Sequence, residues 1–585
     1  MEKRHIARVM GRENLLVAAL SIGGGLLAGI LLSKLAQLAL LRMMNLPASF
    51  RFSVPLGLVG ITAALFAVIY VLILLHALRQ VYRASPVELL RGSEQGEKPP
   101  RANYVLALAG VLLLGAGYWL ALTVQDALTA LSMFFVAVIL VILGTYGCLI
   151  SGSVALLKLL RRNKRYYYRT KHFVSVSGMT FRMKRNGAGL ASICILSTVV
   201  LVMLSSVTCL FAGEEEILAR QYPKDLMITF RPGDETDCAM MEGILDEALS
   251  HEGTSATGRY AFRTCEFTSV SDGNGSYDVS LQRGAIDRVA LLSPVPQADY
   301  AAITGTDPQL AAGEALVAVN RGDFEGDTLA ITGGGETLRW TVRAKVEPFA
   351  PSVLSVLSTY DYVWLVLPSM DDVLALVRMQ EAVYGEKASS LSYHLGCDVA
   401  GGAAVQRAVA DRVLESLRNL SREDSDFSAR HPNGYSYGVE SAAQGREDFY
   451  SLYGGLFFLG VLLGFTFVLA AVLIMYYKQV TEGYEDRSRF EIMQKVGLTR
   501  REIRSSVHSQ MLTVFFLPLV MAAVHLAFAF PMVEKLLLLF GMDNRGLFLA
   551  VAGICLAVFG LFYAAVYAAT SRVYLGIVSG GRERE

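Results

Sequence analysis

Eight apolar runs constrain this chain more than any other feature. Residues 15–41, 53–78, 103–123, 129–157, 188–212, 450–477, 506–533 and 547–570 each supply the roughly 20 mostly apolar residues a helix needs to cross about 30 Å of hydrocarbon. Nothing in hydrocarbon satisfies an open backbone, so such runs are read as helices. Of the 585 residues, 53% are hydrophobic and 18% are charged, against roughly 25% charged in a soluble domain. A disordered chain and an ordinary soluble globule are both excluded.

The net charge of +1 conceals a division. Residues 213–446 hold 19 basic and 35 acidic side chains, and the remainder holds 34 basic and 17 acidic. Of those 34 basic residues, 29 fall in segments 1–14, 79–102, 158–185, 478–505 and 571–585. Residues 161–185 alone carry nine and no acid. Only Lys34, Arg42, Arg51, Lys535 and Arg545 lie at the other face. The positive-inside rule makes the first group cytoplasmic. Both termini are then expected inside and residues 213–446 outside. A signal peptide is the competing reading of the first 30 residues, but the apolar run is too long and lacks a small-residue cleavage site.

Residues 213–446 read as a folded α+β domain. Alternation predicts strands at Tyr260–Val270, Ser276–Leu281, Leu338–Val346 and Tyr362–Leu367. A 3.6-residue period predicts a helix over Ala403–Leu420, with Val405, Val409, Val413, Leu414 and Leu417 on one face. Gly333-Gly334-Gly335 and Asp272-Gly273-Asn274-Gly275 read as turns. Three of the seven cysteines, Cys238, Cys265 and Cys397, lie here. One internal disulfide or three buried thiols both fit that number. His251-Glu252 lacks the second histidine of a zinc helix, and His394 and His431 read as structural or solvated. No nucleophile elbow is present. The domain reads as a binding module whose charge would draw cationic ligands, or as one whose charge only keeps it soluble.

Glycines cluster in the spans, at Gly23, Gly24, Gly25 and Gly29 and at Gly454, Gly455, Gly460 and Gly464. Small residues let helices approach closely, so Gly25-x-x-x-Gly29 is expected to pack within the bundle, with a dimer face as the alternative. On the inner side, Glu485–Val496 reads as a short amphipathic helix with Phe490, Met493 and Val496 on one face. Gly497 suits a left-handed stop, and Thr499-x-x-Glu502 a capping box that starts the next helix. Together they predict a rigid elbow under the bilayer, with a membrane-surface helix as the plainer alternative. Ser85-Pro86-Val87-Glu88-Leu89-Leu90 reads as a second capped element. No G-x-x-x-x-G-K-[ST] loop occurs, so no cofactor is expected and any ATP must bind another polypeptide.

The two ends of the chain show a weak repeat at an offset of 497. Lys3, Arg4, Ile6 and Leu15 match Arg500, Arg501, Ile503 and Leu512, and both copies continue as span, short loop, span. The later copy is preceded by a span and the elbow. The equivalents in the early copy would lie before Met1, so the chain is expected to begin inside its first repeat.

Several passages resemble the FtsX-like permeases, specifically the bacitracin-resistance (Bce-type) ABC transporter permeases. They include Tyr476-Tyr477-Lys478-Gln479, Glu482-Gly483-Tyr484-Glu485-Asp486, Arg489 through Gly497, Phe515 through Leu519, His525 through Pro531, and Thr570 through Tyr574. The resemblance implies ten spans, of which this chain shows eight. The expected fold is a polytopic α-helical membrane protein with eight transmembrane helices and one large extracellular α+β domain. Its expected parts are a partial first permease repeat (1–83), a cytoplasmic linker (84–102), a linking two-helix unit (103–160) and a basic cytoplasmic segment (161–187). The first span of the second repeat (188–212), the outer domain (213–446) and the remaining three spans (447–585) follow, with a coupling elbow at 478–505. The resemblance further implies a permease without enzymatic activity of its own, in the bacterial cytoplasmic membrane. Two copies of a separate ATPase would drive it, and it would sense or remove cell-wall-targeting peptide antibiotics such as bacitracin or lantibiotics. A membrane histidine kinase, the peptide or peptide–lipid complex and the lipid bilayer are the implied partners, with no nucleic acid. Glu482, Gly483, Tyr484, Glu485, Asp486, Phe490, Met493, Lys495, Val496 and Gly497 would form the ATPase-coupling elbow. No catalytic, cofactor-binding or metal residue carries over. A mechanotransmitting permease for lipoprotein handling or hydrolase control, or a transport-independent peptide sensor, are the alternatives.

Overall fold

The computed structural model describes residues 3–43, 54, 56–83, 103–124, 126–162, 170–280, 289–320, 324, 326–349, 361–423, 425–431, 434–495 and 500–578. Eight helices among them are long and apolar enough to cross a membrane: Arg4–Arg42, Leu56–Arg83, Tyr104–Thr123, Ala127–Arg162, Asn186–Ala212, Ala442–Arg487, Gln510–Leu538 and Arg545–Val578. They are numbered here as the first to the eighth span. The chain is thus a polytopic α-helical membrane protein with a mixed α/β region between its fifth and sixth spans. The Ser85–Leu90 element lies outside the described residues.

Glycines set the closest helix contacts, and only some of them are the glycines that sequence spacing points to. A Cβ on Gly144 in the fourth span would sit 2.7 Å from the Leu114 backbone nitrogen in the third. One on Gly110 would sit 2.8 Å from the Cys148 nitrogen. Only hydrogen at these positions lets the two helices touch backbone to backbone. Gly460 and Gly464 of the sixth span likewise leave room for Val207 and Leu204 of the fifth. Gly23, Gly24, Gly25 and Gly29 have nothing within 4 Å of a built Cβ, which corrects the expectation that Gly25-x-x-x-Gly29 packs in the bundle. The first two spans pair with each other, and no described residue of either is buried. Gly144→Val should therefore cost about 3 kcal/mol by overpacking and lower the melting temperature of the detergent-solubilised chain. Gly25→Val should leave it unchanged.

The fifth to eighth spans share a core that includes Leu201, Met475, Phe515, Leu526, Phe559 and Tyr563. The third and fourth spans join it through a polar link. The Thr145 hydroxyl donates to the Val141 carbonyl at 2.6 Å, so it accepts from His525 Nε2 at 3.1 Å. That leaves His525 Nδ1 as acceptor for the Tyr118 hydroxyl at 2.6 Å. Satisfying each polar group inside the bundle is what makes a histidine tolerable there.

The region between the fifth and sixth spans contains two β units. Strands β1 (Leu226–Arg231), β2 (Ala256–Thr264), β10 (Ser392–Val399) and β11 (Ser436–Ser441) form an antiparallel sheet in the order β11-β1-β10-β2. Helices Glu235–His251 and Ala403–Glu423 cover one of its faces, burying Ile228, Phe230, Leu245, Leu395, Val409 and Val413. Between β2 and β10 the chain inserts a closed barrel: β3 (Phe267–Ser271), β4 (Ser276–Asp278), β5 (Val289–Pro296), β6 (Glu314–Val319), β7 (Thr328–Gly333), β8 (Glu336–Lys345) and β9 (Asp361–Leu367). Closure leaves no exposed strand edge. Helix Met370–Tyr384 packs Val373, Leu376 and Met379 into the barrel core.

The predicted helix at 403–420 and the strands at 276, 338 and 362 are present. The run Tyr260–Val270 is not one strand: it breaks at Cys265-Glu266, where the chain leaves the sheet and enters the barrel. The turn at Gly334-Gly335 has φ of +59° and +88°, values that favour glycine. Every cysteine is a free thiol, and burial pushes the Cys238 and Cys265 thiols up to about 12 and Cys397 to about 11. His431 has a structural role, its Nε2 lying 3.1 Å from the buried Asp237 carboxylate.

His394 stacks on Phe262 with ring centroids 4.8 Å apart, and its Nδ1 meets the Thr229 hydroxyl at 3.1 Å. Burial holds its imidazolium below the ordinary range, with Glu266 opposing and Arg231 adding to the effect. The unfolded chain gains this proton near pH 6.5, whereas the folded chain resists it. Stability is therefore full above that pH and falls as pH drops toward the folded value. Glu440 acts in the opposite sense, because burial raises its carboxyl. The difference between the wild type and His394→Gln isolates the histidine. The melting temperature of the wild type should fall more steeply between pH 7 and pH 5.5 than that of the variant.

Candidate coupling site

The predicted elbow begins where the sixth span ends. A single helix runs Gly455–Lys495, so Glu485–Val496 is not a separate short helix. Residues 478–495 are mostly helix formers, with Gly483 the one internal glycine, and a helix does not end because its surroundings change from lipid to water. The stop at Gly497, Val496 and the Thr499 cap lie outside the described residues. The next helix is Arg500–Leu538.

Lys478, Glu482 and Asp486 recur every four residues and so share one face. Glu482 and Asp486 are buried, as is Asn186. The Asn186 side-chain amide donates to the Glu482 carboxylate, and the Lys478 ammonium donates to the Asn186 carbonyl at 3.0 Å. One residue of the fifth helix is thus held at two points by one turn of the sixth. On the other side, the Tyr574 hydroxyl of the eighth span donates to Asp486 Oδ2 at 2.9 Å. Gly483 lets that span approach, since a Cβ would lie 3.3 Å from the Tyr574 ring and 3.5 Å from Ile577. Two further glycines shape the joint. Gly187 lies against the fourth span, where a Cβ would come 2.7 Å from Ile150 Cα, and Gly189 leaves room for the Lys478 side chain.

The structure therefore divides the predicted elbow residues. Glu482, Gly483 and Asp486 face the bundle, while Tyr484 and Glu485 are exposed. Phe490, Met493 and Lys495 lie on the helix beyond them. Asn186, Gly187 and Gly189 lie outside the predicted elbow, and Lys478, its first residue, is not among its named coupling residues. The four-residue recurrence of Lys478, Glu482 and Asp486 at the end of an apolar run could have revealed the lysine. Asn186 sits 296 residues from Glu482, and nothing local marks that pairing. Mechanically, a displacement of the 478–495 segment must act on the fifth and eighth spans through charge-assisted hydrogen bonds, and the fifth leads directly into the α/β region.

A multi-span bundle with a long helical lever gripped at its base is built to pass motion between the two sides of a membrane. The profile described as FtsX-like permease C-terminal matches residues 1–86 and 461–575. At both ends the chain is thus similar to the FtsX-like ABC transporter permeases, a family that works with an ABC ATPase. It is similar to the uncharacterized ABC transporter permease YvcS of Bacillus subtilis, with 22% identity over 98% of this chain and 84% of the relative. The bacitracin export permease protein BceB of Halalkalibacterium halodurans is 23% identical over 90% of this chain and 78% of its own length. For BceB of Bacillus subtilis the figures are 22%, 96% and 83%.

Proposed function

We propose that this permease confers resistance to cell-wall-targeting peptide antibiotics of the bacitracin or lantibiotic type, driven by two copies of a separate ATPase. The α/β region lies outside the cell and engages the peptide or its lipid complex, and both termini lie in the cytoplasm. ATP-driven closure of the partner displaces the 478–495 lever. The grip of Lys478, Glu482 and Asp486 on the fifth and eighth helices passes that displacement to the outer region. A membrane histidine kinase reads the same motion. No nucleotide binds this chain. The observation that carries the reading is the two-sided buried grip at the base of the lever, at the end of the bundle where basic residues collect. The relatives named as bacitracin export permeases support the choice of peptide. Coupling requires that the outer region bind its target with different affinity in two states.

The test is to co-express the chain with its neighbouring ATPase, purify the complex in nanodiscs and follow ATP hydrolysis as bacitracin is added. Stable co-elution with a bacitracin-dependent rate is the expected result. A stable complex whose hydrolysis ignores bacitracin and nisin would sink the peptide reading.

A further inference from the structure

The second face of the four-stranded sheet packs at its β2 edge against the barrel, through Phe262, Val295, Tyr362 and Trp364, and elsewhere looks into a cleft of about 290 Å3. Antiparallel register lays its residues out in rows. In one row Glu440 of β11 lies beside Met227 of β1, then Gly396 of β10 and Tyr260 of β2. The next row runs Gly438, Thr229, His394 and Phe262. Two glycines shape the space between them. A Cβ on Gly396 would fall 2.6 Å from the Tyr260 ring, so that ring lies across β10 toward Met227 and Glu440. A Cβ on Gly438 would meet nothing within 4 Å, and the cleft is open above it.

Two polar groups line this cleft with capacity to spare. Glu440 is half-buried, and its carboxylate makes no ion pair or hydrogen bond with any described residue. His394 Nε2 is buried and has no partner among the described residues. A neutral His394 that gives its Nδ1 proton to Thr229 presents Nε2 as an acceptor. The cation lining the cleft, Arg231, lies four residues along β1 from Met227, about 13 Å away. It is engaged by Glu266 at 2.9 Å, which also accepts the Tyr362 hydroxyl at 2.5 Å. Among the described residues nothing charged in the cleft neutralises Glu440, and burial alone raises its carboxyl.

We propose that this cleft is a subsite for a primary ammonium group carried on an apolar stem, as on a lysine or ornithine side chain of a peptide. The ammonium sits between the Glu440 carboxylate and the face of the Tyr260 ring, where cation–π attraction adds to the ion pair. The stem lies over Gly438 toward the stacked Phe262 and His394 rings. An acidic region, with 35 acids against 19 bases in residues 213–446, raises the local concentration of such a group before contact. This assignment rests on the reading that the α/β region meets a peptide, and adds the part of the peptide it reads.

The experiment uses the full chain in zwitterionic nanodiscs, with saturation-transfer NMR and two probes: Nα-acetyl-lysine amide, and the same compound acetylated at Nε. Saturation should pass to the free amine and fall at least fivefold for the Nε-acetylated probe. Glu440→Gln should bring the amine down to the level of its acetylated form. Gly438→Leu, which the ordinary backbone at that position accepts, should block both. Equal saturation of the two probes by the wild type, or an unchanged signal in Glu440→Gln, would overturn the subsite. Bacitracin and its amine-acetylated derivative, titrated in parallel, separate this outcome from the wider reading. Equal affinity for both leaves the peptide function standing and removes the ammonium subsite. No affinity for either, with the amine probe still bound through Glu440, keeps the subsite and removes bacitracin as the ligand.

Discussion

Glu482→Leu should uncouple the transporter while leaving it assembled. The substitution removes the acceptor for the Asn186 amide at a site that is 2% exposed, and leaves Lys478 bonded to the Asn186 carbonyl without the adjacent carboxylate. Breaking one partner of a buried charged network costs roughly 3–5 kcal/mol. Here the loss falls on the joint between the sixth helix and the fifth, so it is expected as lost transmission. Ligand-stimulated ATP hydrolysis should drop at least tenfold, whereas co-elution with the ATPase and its basal rate should persist. Glu482→Gln keeps an acceptor for Asn186 and should recover part of the stimulation. Tyr574→Phe, which removes the hydroxyl bonded to Asp486, should give a smaller loss of the same kind. If Glu482→Leu lowers basal and stimulated rates in equal proportion, the residue is structural and the coupling role fails.

The second large effect is expected at the outer end of the lever. Phe490 and Val496 fall on one stripe by the helical period, and the continuous helix Gly455–Lys495 carries the first of them beyond the gripped turn. Replacing both by Asp should reduce co-purification of the ATPase by more than tenfold, because seating two carboxylates in an apolar contact costs several kcal/mol. The bundle contacts at Glu482, Gly483 and Asp486 are untouched, so the melting temperature of the permease alone should hold. Undiminished co-purification would place the ATPase contact elsewhere, with the basic segment 161–185 as the next candidate.

These two predictions differ in how much of their basis was legible in the sequence. The shared face of Phe490 and Val496 follows from periodicity, since a helix repeats every 3.6 residues whatever its neighbours do, and its docking role is what the family resemblance implies. The span count and the position of the α/β region were equally legible, because hydrocarbon thickness fixes the length of every crossing helix. Strands with clean alternation, such as the one at Leu338–Val346 with Leu338, Trp340 and Val342 turned to the barrel core, could be read directly. Others could not. β5, with Val295 and Pro296, and β6, with Ala315 to Ala318, are buried on both faces of the barrel or nearly so, and they lose the period of two that marks a half-exposed strand.

Long-range partners were decided by tertiary structure. Chemistry shows that Glu482 needs a donor, but whether Asn186, Asn14 or a lysine supplies it depends on which helices pack together. The glycines make the same point. Gly25-x-x-x-Gly29 and Gly460-x-x-x-Gly464 carry the same motif, yet only the second packs against a neighbouring helix, and Gly110, Gly144 and Gly187 make close contacts without it, since a motif records only that a helix is able to approach another. In the cleft, no local feature of Glu440 distinguishes it from the other acids of residues 213–446. Register places it in the row of Tyr260, Gly396 of β10 lets that ring lie across the sheet, and Gly438 of β11 leaves the cleft open beside it. Sequence alone determined the solvent each segment meets, because transfer free energy is a property of each residue. The structure decided which residues meet each other, because that depends on contacts between segments far apart in the chain.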